Sequence, residues 1–214
     1  MSVIAVVDYG MGNLRSVAKA LEHVAGDQKV IVTSSPDEIE NADRVVFPGQ
    51  GAARDCMQEL ADRKLNHVIL NAAHHKPFLG ICMGMQVLLA HSEENNGVDC
   101  LGLYHGEVRF FGEQLADEQG EKLKIPHMGW NEVKHKCHHP LWHNIQDDSR
   151  FYFVHSYYMD PQDKSLITGT THYGIEFVSA IGRDNVFAVQ FHPEKSAQDG
   201  LQLLKNFANW HGQQ

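Results

Sequence analysis

The run Pro77-Phe78-Leu79-Gly80-Ile81-Cys82-Met83-Gly84-Met85-Gln86 constrains this chain more than any other. A short apolar stretch, Phe78 to Ile81, reads as the end of a buried strand. Cys82 follows between two glycines, and Met85 to Ala90 continues as an apolar helical pattern. This is a G-x-C-x-G form of the nucleophile elbow, a sharp strand-to-helix turn that lifts one reactive side chain above a parallel sheet. Glycines suit the turn because a Cβ on either side would crowd the backbone. At a helix N-terminus, the dipole and free N–H groups favour a thiolate. The same run would also suit a buried structural cysteine, since free cysteines are among the most buried residues.

A second run, Gln190-Phe191-His192-Pro193-Glu194-Lys195, decides between these readings. A cysteine nucleophile needs a base, and the base needs an orienting partner. Val186 to Phe191 reads as a buried strand with His192 and Glu194 two positions apart at its end. Residues i and i+2 of an extended segment point to the same side, so Glu194 can reach His192. Pro193 cannot donate a ladder hydrogen bond and belongs where pairing stops. Alone, H-P-E would read as a loop histidine beside a surface carboxylate. With a glycine-flanked cysteine in the same chain, Cys82-His192-Glu194 is the better reading.

The 214 residues suffice for one good core, and no Pro- or Gly-rich linker divides them, so a single mixed α/β domain over residues 1–214 is expected. A formal net charge of −9 argues against a general nucleic-acid binder. No apolar stretch approaches membrane-spanning length, and no basic-then-apolar signal segment opens the chain. The four cysteines lack C-x-x-C spacing, which fits reduced thiols in a cytoplasmic enzyme. Of the 15 histidines, the densest group is His135, His138, His139 and His143, together with Cys137. It lacks the paired spacing of a structural zinc site, so a solvated loop is expected there and no metal.

Ser2 to Val7 reads as a first strand, ending in Asp8-Tyr9-Gly10-Met11-Gly12-Asn13. The helix Leu14 to Val24 follows, with Leu14, Val17, Ala18, Leu21 and Val24 on one face. Its G-x-G-N turn lacks the third glycine of the dinucleotide fingerprint and the P-loop lysine, so a tight βα turn is favoured. Lys29 to Thr33 and Arg44 to Phe47 read as further strands, the second ending in Pro48-Gly49-Gln50-Gly51. Glycines at that edge could turn N–H groups toward a ligand and, with the N–H of Met83, complete an oxyanion hole. A plain turn explains the segment equally well. Ala52 to Leu60 and Leu65 to Ala73 read as helices. Beyond the polar stretch Ser92 to Gly97 the chain changes character: Glu107–Phe111, Asn131–Lys134, Arg150–Tyr158, Ser165–Thr171, Phe177–Ile181 and Val186–Phe191 predict strands with short connections. Meandering strands predict antiparallel additions to a mainly parallel open sheet flanked by helices. Ala197 to Trp210 closes the chain as an amphipathic helix.

The two catalytic runs together resemble the class I, triad-type glutamine amidotransferases. Asp8-Tyr9-Gly10-Met11-Gly12-Asn13-Leu14-Arg15-Ser16, Pro126-His127-Met128-Gly129-Trp130-Asn131 and Tyr152-Phe153-Val154-His155-Ser156-Tyr157 narrow the resemblance to one branch, the glutaminase subunits of imidazole glycerol phosphate synthase. It runs from the first strand to the last helix. Two departures are Met83, where the family usually has Leu, and Gln50, where it has an apolar residue.

The resemblance implies that Cys82 attacks the carboxamide of glutamine, with the oxyanion held by backbone N–H groups of Gly49, Gln50, Gly51 and Met83. His192, oriented by Glu194, then serves the leaving ammonia and the incoming water. It implies that Gln86, Glu94 and the backbone of Ser156 and Tyr157 hold the α-amino and α-carboxylate groups of glutamine, and that no metal or organic cofactor takes part. It also implies a (β/α)8-barrel cyclase partner in a heterodimer. That partner would receive the ammonia and make imidazole glycerol phosphate and an aminoimidazole-carboxamide ribotide, linking histidine and purine synthesis. Asn13, Trp130, Tyr152 and Lys195 match positions near that interface, although Trp130 and Tyr152 would also suit a core. The alternatives are an amidotransferase subunit of another synthase, a Cys-elbow hydrolase, and a non-catalytic binding subunit. The first is disfavoured by the D-Y-G-M-G-N and P-H-M-G-W-N runs, the second by H-P-E, and the third by an intact triad.

Overall fold

Strand β1 (Val3–Val7) occupies the middle of a parallel group because its apolar side chains can be covered on both faces. The computed structural model describes residues 2–212, and the outermost residues of the expected domain lie outside them. Helix α1 (Leu14–Val24) follows β1, then β2 (Lys29–Thr33), α2 (Pro36–Asn41), β3 (Arg44–Gly49), α3 (Ala53–Asp62) and α4 (Asn66–His75). Next come β4 (Phe78–Cys82), the single-turn helix α5 (Met83–Gln86), β5 (Leu89–Ser92), β6 (Val98–Asp99) and β7 (Tyr104–Phe110). The second half adds β8 (His127–His135), β9 (Ser149–His155), β10 (Tyr157–Pro161), β11 (Ile167–Tyr173), β12 (Ile175–Arg183), β13 (Val186–Val189) and α6 (Ala197–Asn209).

The parallel core has the order β2-β1-β3-β4-β13, and β12 joins β13 antiparallel. The sheet continues through β10, β7, β5 and β6, while β11, β8 and β9 form a branch from β12. Period-two alternation divides the core. Ile4, Val6, Val46, Leu79 and Val189 pack with α1 and α6, whereas Val45, Phe47, Phe78 and Ala188 pack with α3 and α4. A mixed sheet flanked by helices, with a parallel core and antiparallel additions, is therefore the architecture the sequence predicts.

Four local expectations need correction. The expected helix from Met85 to Ala90 stops at Gln86, and Leu89 begins a strand in register with Tyr104. Met83 through Leu89 are all buried, so their apolarity records burial on every side rather than one helical face. With only one turn after Cys82, little helix dipole supports the sulfur. The expected Arg150–Tyr158 strand breaks at Ser156 into β9 and β10, and α2 went unread although Ser35 caps it and Pro36 opens it. The loop of histidines is not wholly solvated. His139 and Trp142 are buried, His139 against Phe187 and Trp210, while the half-buried His135 stacks on Trp142. Among the described residues no group of three or more His, Cys, Asp or Glu is arranged to hold a metal ion.

Candidate active site

Cys82 ends β4 with φ 55° and ψ −111°, a conformation that costs a non-glycine residue on the order of 1–3 kcal/mol. The neighbouring glycines make the turn sterically feasible. A Cβ at Gly84 would overlap the Phe47 carbonyl, and one at Gly80 would lie 2.7 Å from the Gly84 carbonyl oxygen. Gly84→Ala is therefore expected to destabilise the fold by about 1–3 kcal/mol or more, read as a lowered urea midpoint. An unchanged midpoint would show that β3 can move aside.

β4 lies between β3 and β13, and the register pairs Gly49 with Cys82. Just beyond β13, His192 is buried and its Nδ1 lies 2.9 Å from Glu194 Oε1. The Pro193–Lys195 3-10 turn holds this pair, and Ser196 pins the turn to β9. Its hydroxyl donates to the His192 carbonyl at 2.6 Å and accepts from the Tyr152 N–H at 3.0 Å. The other carboxylate oxygen of Glu194 is buried without a hydrogen-bond partner, so His192 is that carboxylate's counter-charge. His192 Nε2 makes no strict hydrogen bond either, yet the Cys82 sulfur is near enough for its charge to act.

Burial works against a charged imidazole at His192, but the Cys82 sulfur and Glu194 outweigh it and push the ring up to about 10. A pKa raised on folding contributes stability that is full below the ordinary value of 6.5 and is lost as pH rises through about 10. The His192 ring proton is accordingly expected to stay in its imidazolium position by NMR through neutral pH. In Cys82→Ala or Glu194→Gln it should titrate at lower pH. An unshifted midpoint in both variants would contradict the charge coupling.

Gln50, Gly51, Cys82, Met83, Gln86, Glu94, Ser156 and Tyr157 line one cavity of about 330 Å³. Gly49 is buried behind it, and a Cβ there would overlap the Tyr9 hydroxyl and approach Met83 Cβ to 2.8 Å. Gly51 has φ +94°, which favours glycine. Glu94 Oε2 accepts from the Ala53 N–H at 2.7 Å, fixing that carboxylate at the start of α3. Gln86 Nε2 donates to the Tyr157 carbonyl at 2.9 Å and to Gln190 Oε1 at 2.8 Å. Trp130, Tyr152 and Lys195 lie together on the β8–β9 side. Trp130 meets Tyr152 edge-on at 6.2 Å, and Lys195 Nζ stands 5.9 Å from the Tyr152 ring centre. Trp130 is 45% exposed and is no core residue. Asn13 stands at the start of α1, a helix in contact with the Pro193–Lys195 turn.

Sequence reasoning missed Gln190, which it read as part of a strand. This fully buried amide donates to Cys82 Sγ at 3.7 Å. It also missed Ser196, Tyr9 and His155. The H-P-E-K-S run contains the Ser196 signal, but nothing local in sequence marks Gln190 or His155 as neighbours of the cleft.

A strained cysteine on a strand-to-helix turn, a buried imidazole–carboxylate pair and a cavity that Cys82 lines make up the candidate active site. The family model for glutamine amidotransferase class-I matches residues 5–210. The chain is 62% identical to the imidazole glycerol phosphate synthase subunit HisH of Dechloromonas aromatica, over 97% of this chain and 96% of that protein. It is 58% identical to the protein of the same name from Pseudomonas putida, over 99% of both. Among solved structures, PurLQS from Thermotoga maritima superposes with a TM-score of 0.71 at 19% identity, covering 97% of this chain and 98% of that one. The glutaminase domain of Trypanosoma brucei CTPS gives 0.63 at 17%, covering 98% and 94%. These two show a shared fold. The chain belongs to the class-I glutamine amidotransferases and, within them, to the family of imidazole glycerol phosphate synthase subunit HisH. It is a glutamine amidotransferase, an enzyme.

Proposed function

We propose that Cys82, His192 and Glu194 hydrolyse glutamine to glutamate and ammonia. The single observation that supports this most is the strained Cys82 beside a buried His192–Glu194 pair. Cys82 Sγ attacks the carboxamide carbon, and the carbonyl electrons move to oxygen. The N–H of Met83 and N–H groups of the Gly49–Gly51 segment stabilise that oxyanion. Collapse expels the nitrogen, which leaves as ammonia with a proton from His192, and a glutamyl thioester remains. Water then attacks the thioester, His192 accepts its proton, and glutamate departs as the sulfur is restored.

Local hydrogen bonding refines the substrate contacts. Both N–H bonds of the Gln86 amide are committed, so Gln86 offers substrate its Oε1, an acceptor suited to the α-ammonium group. Glu94 Oε1 complements it, since Oε2 is held by Ala53. The backbone at Ser156 and Tyr157, where β9 breaks into β10, receives the α-carboxylate. No step needs a metal or an organic cofactor.

The partner is a (β/α)8-barrel cyclase subunit, docked over Asn13, Trp130, Tyr152 and Lys195, which combines the ammonia with a nucleotide in histidine biosynthesis. Exposed Trp130 and Met128, 45% and 61% accessible, support this face. No described helix is long and apolar enough to cross a membrane. Four free cysteines support a reducing cytoplasm, and we treat residues 1–214 as one domain. The test measures glutamate release and glutamine-dependent cyclase activity after mixing the two purified proteins. Cyclase activity supported by ammonia but never by glutamine would overturn the reading.

A further inference from the structure

A chain of buried amides and imidazoles ends on the nucleophile, and its direction is forced from one end. His155 Nδ1 lies 2.8 Å from the Tyr157 carbonyl, which can only accept, so Nδ1 carries the proton. Burial drives His155 down to about 3, offset in part by that bond, and His127 down to about 4, so both rings are neutral at ordinary pH. His155 Nε2 is then an acceptor and takes the Nδ1–H of His127 at 2.9 Å. His127 Nε2 in turn takes an N–H of Asn131 at 3.2 Å. Asn131 also donates to the His172 carbonyl at 2.9 Å, which fixes its own orientation.

On the other side of Tyr157 the same logic holds. Its carbonyl accepts from Gln86 Nε2 as well as from His155, which uses both lone pairs. Gln86 passes its second N–H to Gln190 Oε1, and this leaves Gln190 only one way round, with its NH₂ toward Cys82 Sγ. The amide facing the sulfur is thus a donor by necessity, and it is fully buried.

We propose that Gln190 is a further catalytic residue that donates to the Cys82 sulfur and favours its thiolate, and that His155 positions it through Tyr157 and Gln86. This rests on the glutaminase reading of Cys82, but its test needs no glutamine. The test is the pH dependence of Cys82 alkylation by iodoacetamide in the full chain, followed by mass spectrometry of the Cys82 peptide so that exposed Cys137 does not interfere. His192 and Tyr9, the other titrating groups acting with the sulfur, are unaltered in the variants.

Gln190→Leu removes the donor and is expected to slow Cys82 alkylation at neutral pH about tenfold, with the profile moved to higher pH. Gln190→Glu keeps the shape but turns an acceptor toward the sulfur, and a larger loss is expected. His155→Phe leaves the sulfur untouched and should move the profile the same way by a smaller factor. A purely structural role would lower the melting temperature without moving the profile. Wild-type profiles in folded Gln190→Leu and Gln190→Glu would overturn the proposal, and an unmoved profile in His155→Phe would overturn the histidine part. If Gln190→Leu fails to fold, Gln190→Glu carries the readout. Failure of both to fold would identify a core amide and likewise overturn the proposal. Loss of glutaminase with a normal alkylation profile would strike the substrate reading and leave this one standing.

Discussion

Replacing Cys82 by alanine is expected to abolish glutamine hydrolysis while leaving ammonia-dependent synthesis by the partner complex intact. Removing the nucleophile of a serine protease costs of order 10⁶-fold, so the assay has ample range. Cys82 is 6% exposed and its side chain is small, so alanine should leave the elbow folded. Cys82 is held at φ 55° by the surrounding sheet and glycines, not by its sulfur. His192→Ala should lose nearly as much, because the leaving nitrogen would lack a proton donor. Glu194→Gln should lose less, since Glu194 orients and charge-balances the ring without moving a proton itself. The measurement is glutamate released per active complex. Residual turnover in Cys82→Ala close to wild type would overturn the assignment of the nucleophile. Equal losses for Glu194→Gln and Cys82→Ala, with the fold intact, would count against a purely orienting carboxylate.

The geometry of the candidate site was legible in sequence where its parts carry local signatures. Glycines flank Cys82, and Pro193 separates two residues that an extended chain places side by side. The parallel core was legible for a similar reason, since β1, β3, β4 and β13 are short apolar runs buried on both faces. What could not be read depends on distant partners. The turn after Cys82 has the composition of a helix, yet pairing of Leu89 with Tyr104 converts the run into a strand. The break at Ser156 lies within a continuous β-rich stretch, and only the meeting of β10 with β7 separates it from β9. Gln86 and Gln190 meet across 104 positions, and His127 and His155 across 28. Such amide and imidazole contacts have no period and no composition to announce them. Tertiary packing, not local preference, decides them.

Glutamine hydrolysis by the isolated chain is expected to be slow and to rise by about 10² to 10³ when the cyclase and its nucleotide bind. The structural basis begins at the end of β3. Gly49 is wedged against Tyr9 and Met83 in register with Cys82, whereas Gln50 and Gly51 are exposed beside the cavity. Gly51, at φ +94°, has no Cβ to lock the peptide before it, so the segment between two glycines can turn either a C=O or an N–H toward the developing oxyanion. With a C=O inward, the triad is intact but the transition state lacks a donor. One missing donor costs roughly 3–4 kcal/mol, which gives the factor above. A partner can shift that balance only by binding the N–H-inward state better than the other. The exposed edge formed by Gln50 and Gly51 is open to such a contact. The check is initial-rate glutaminase for the chain alone, for the complex, and for the complex with nucleotide. Full activity in the isolated chain would exclude the switch. Gly51→Ala, which disfavours positive φ, should narrow the ratio between the three states. An unchanged ratio would place the control elsewhere.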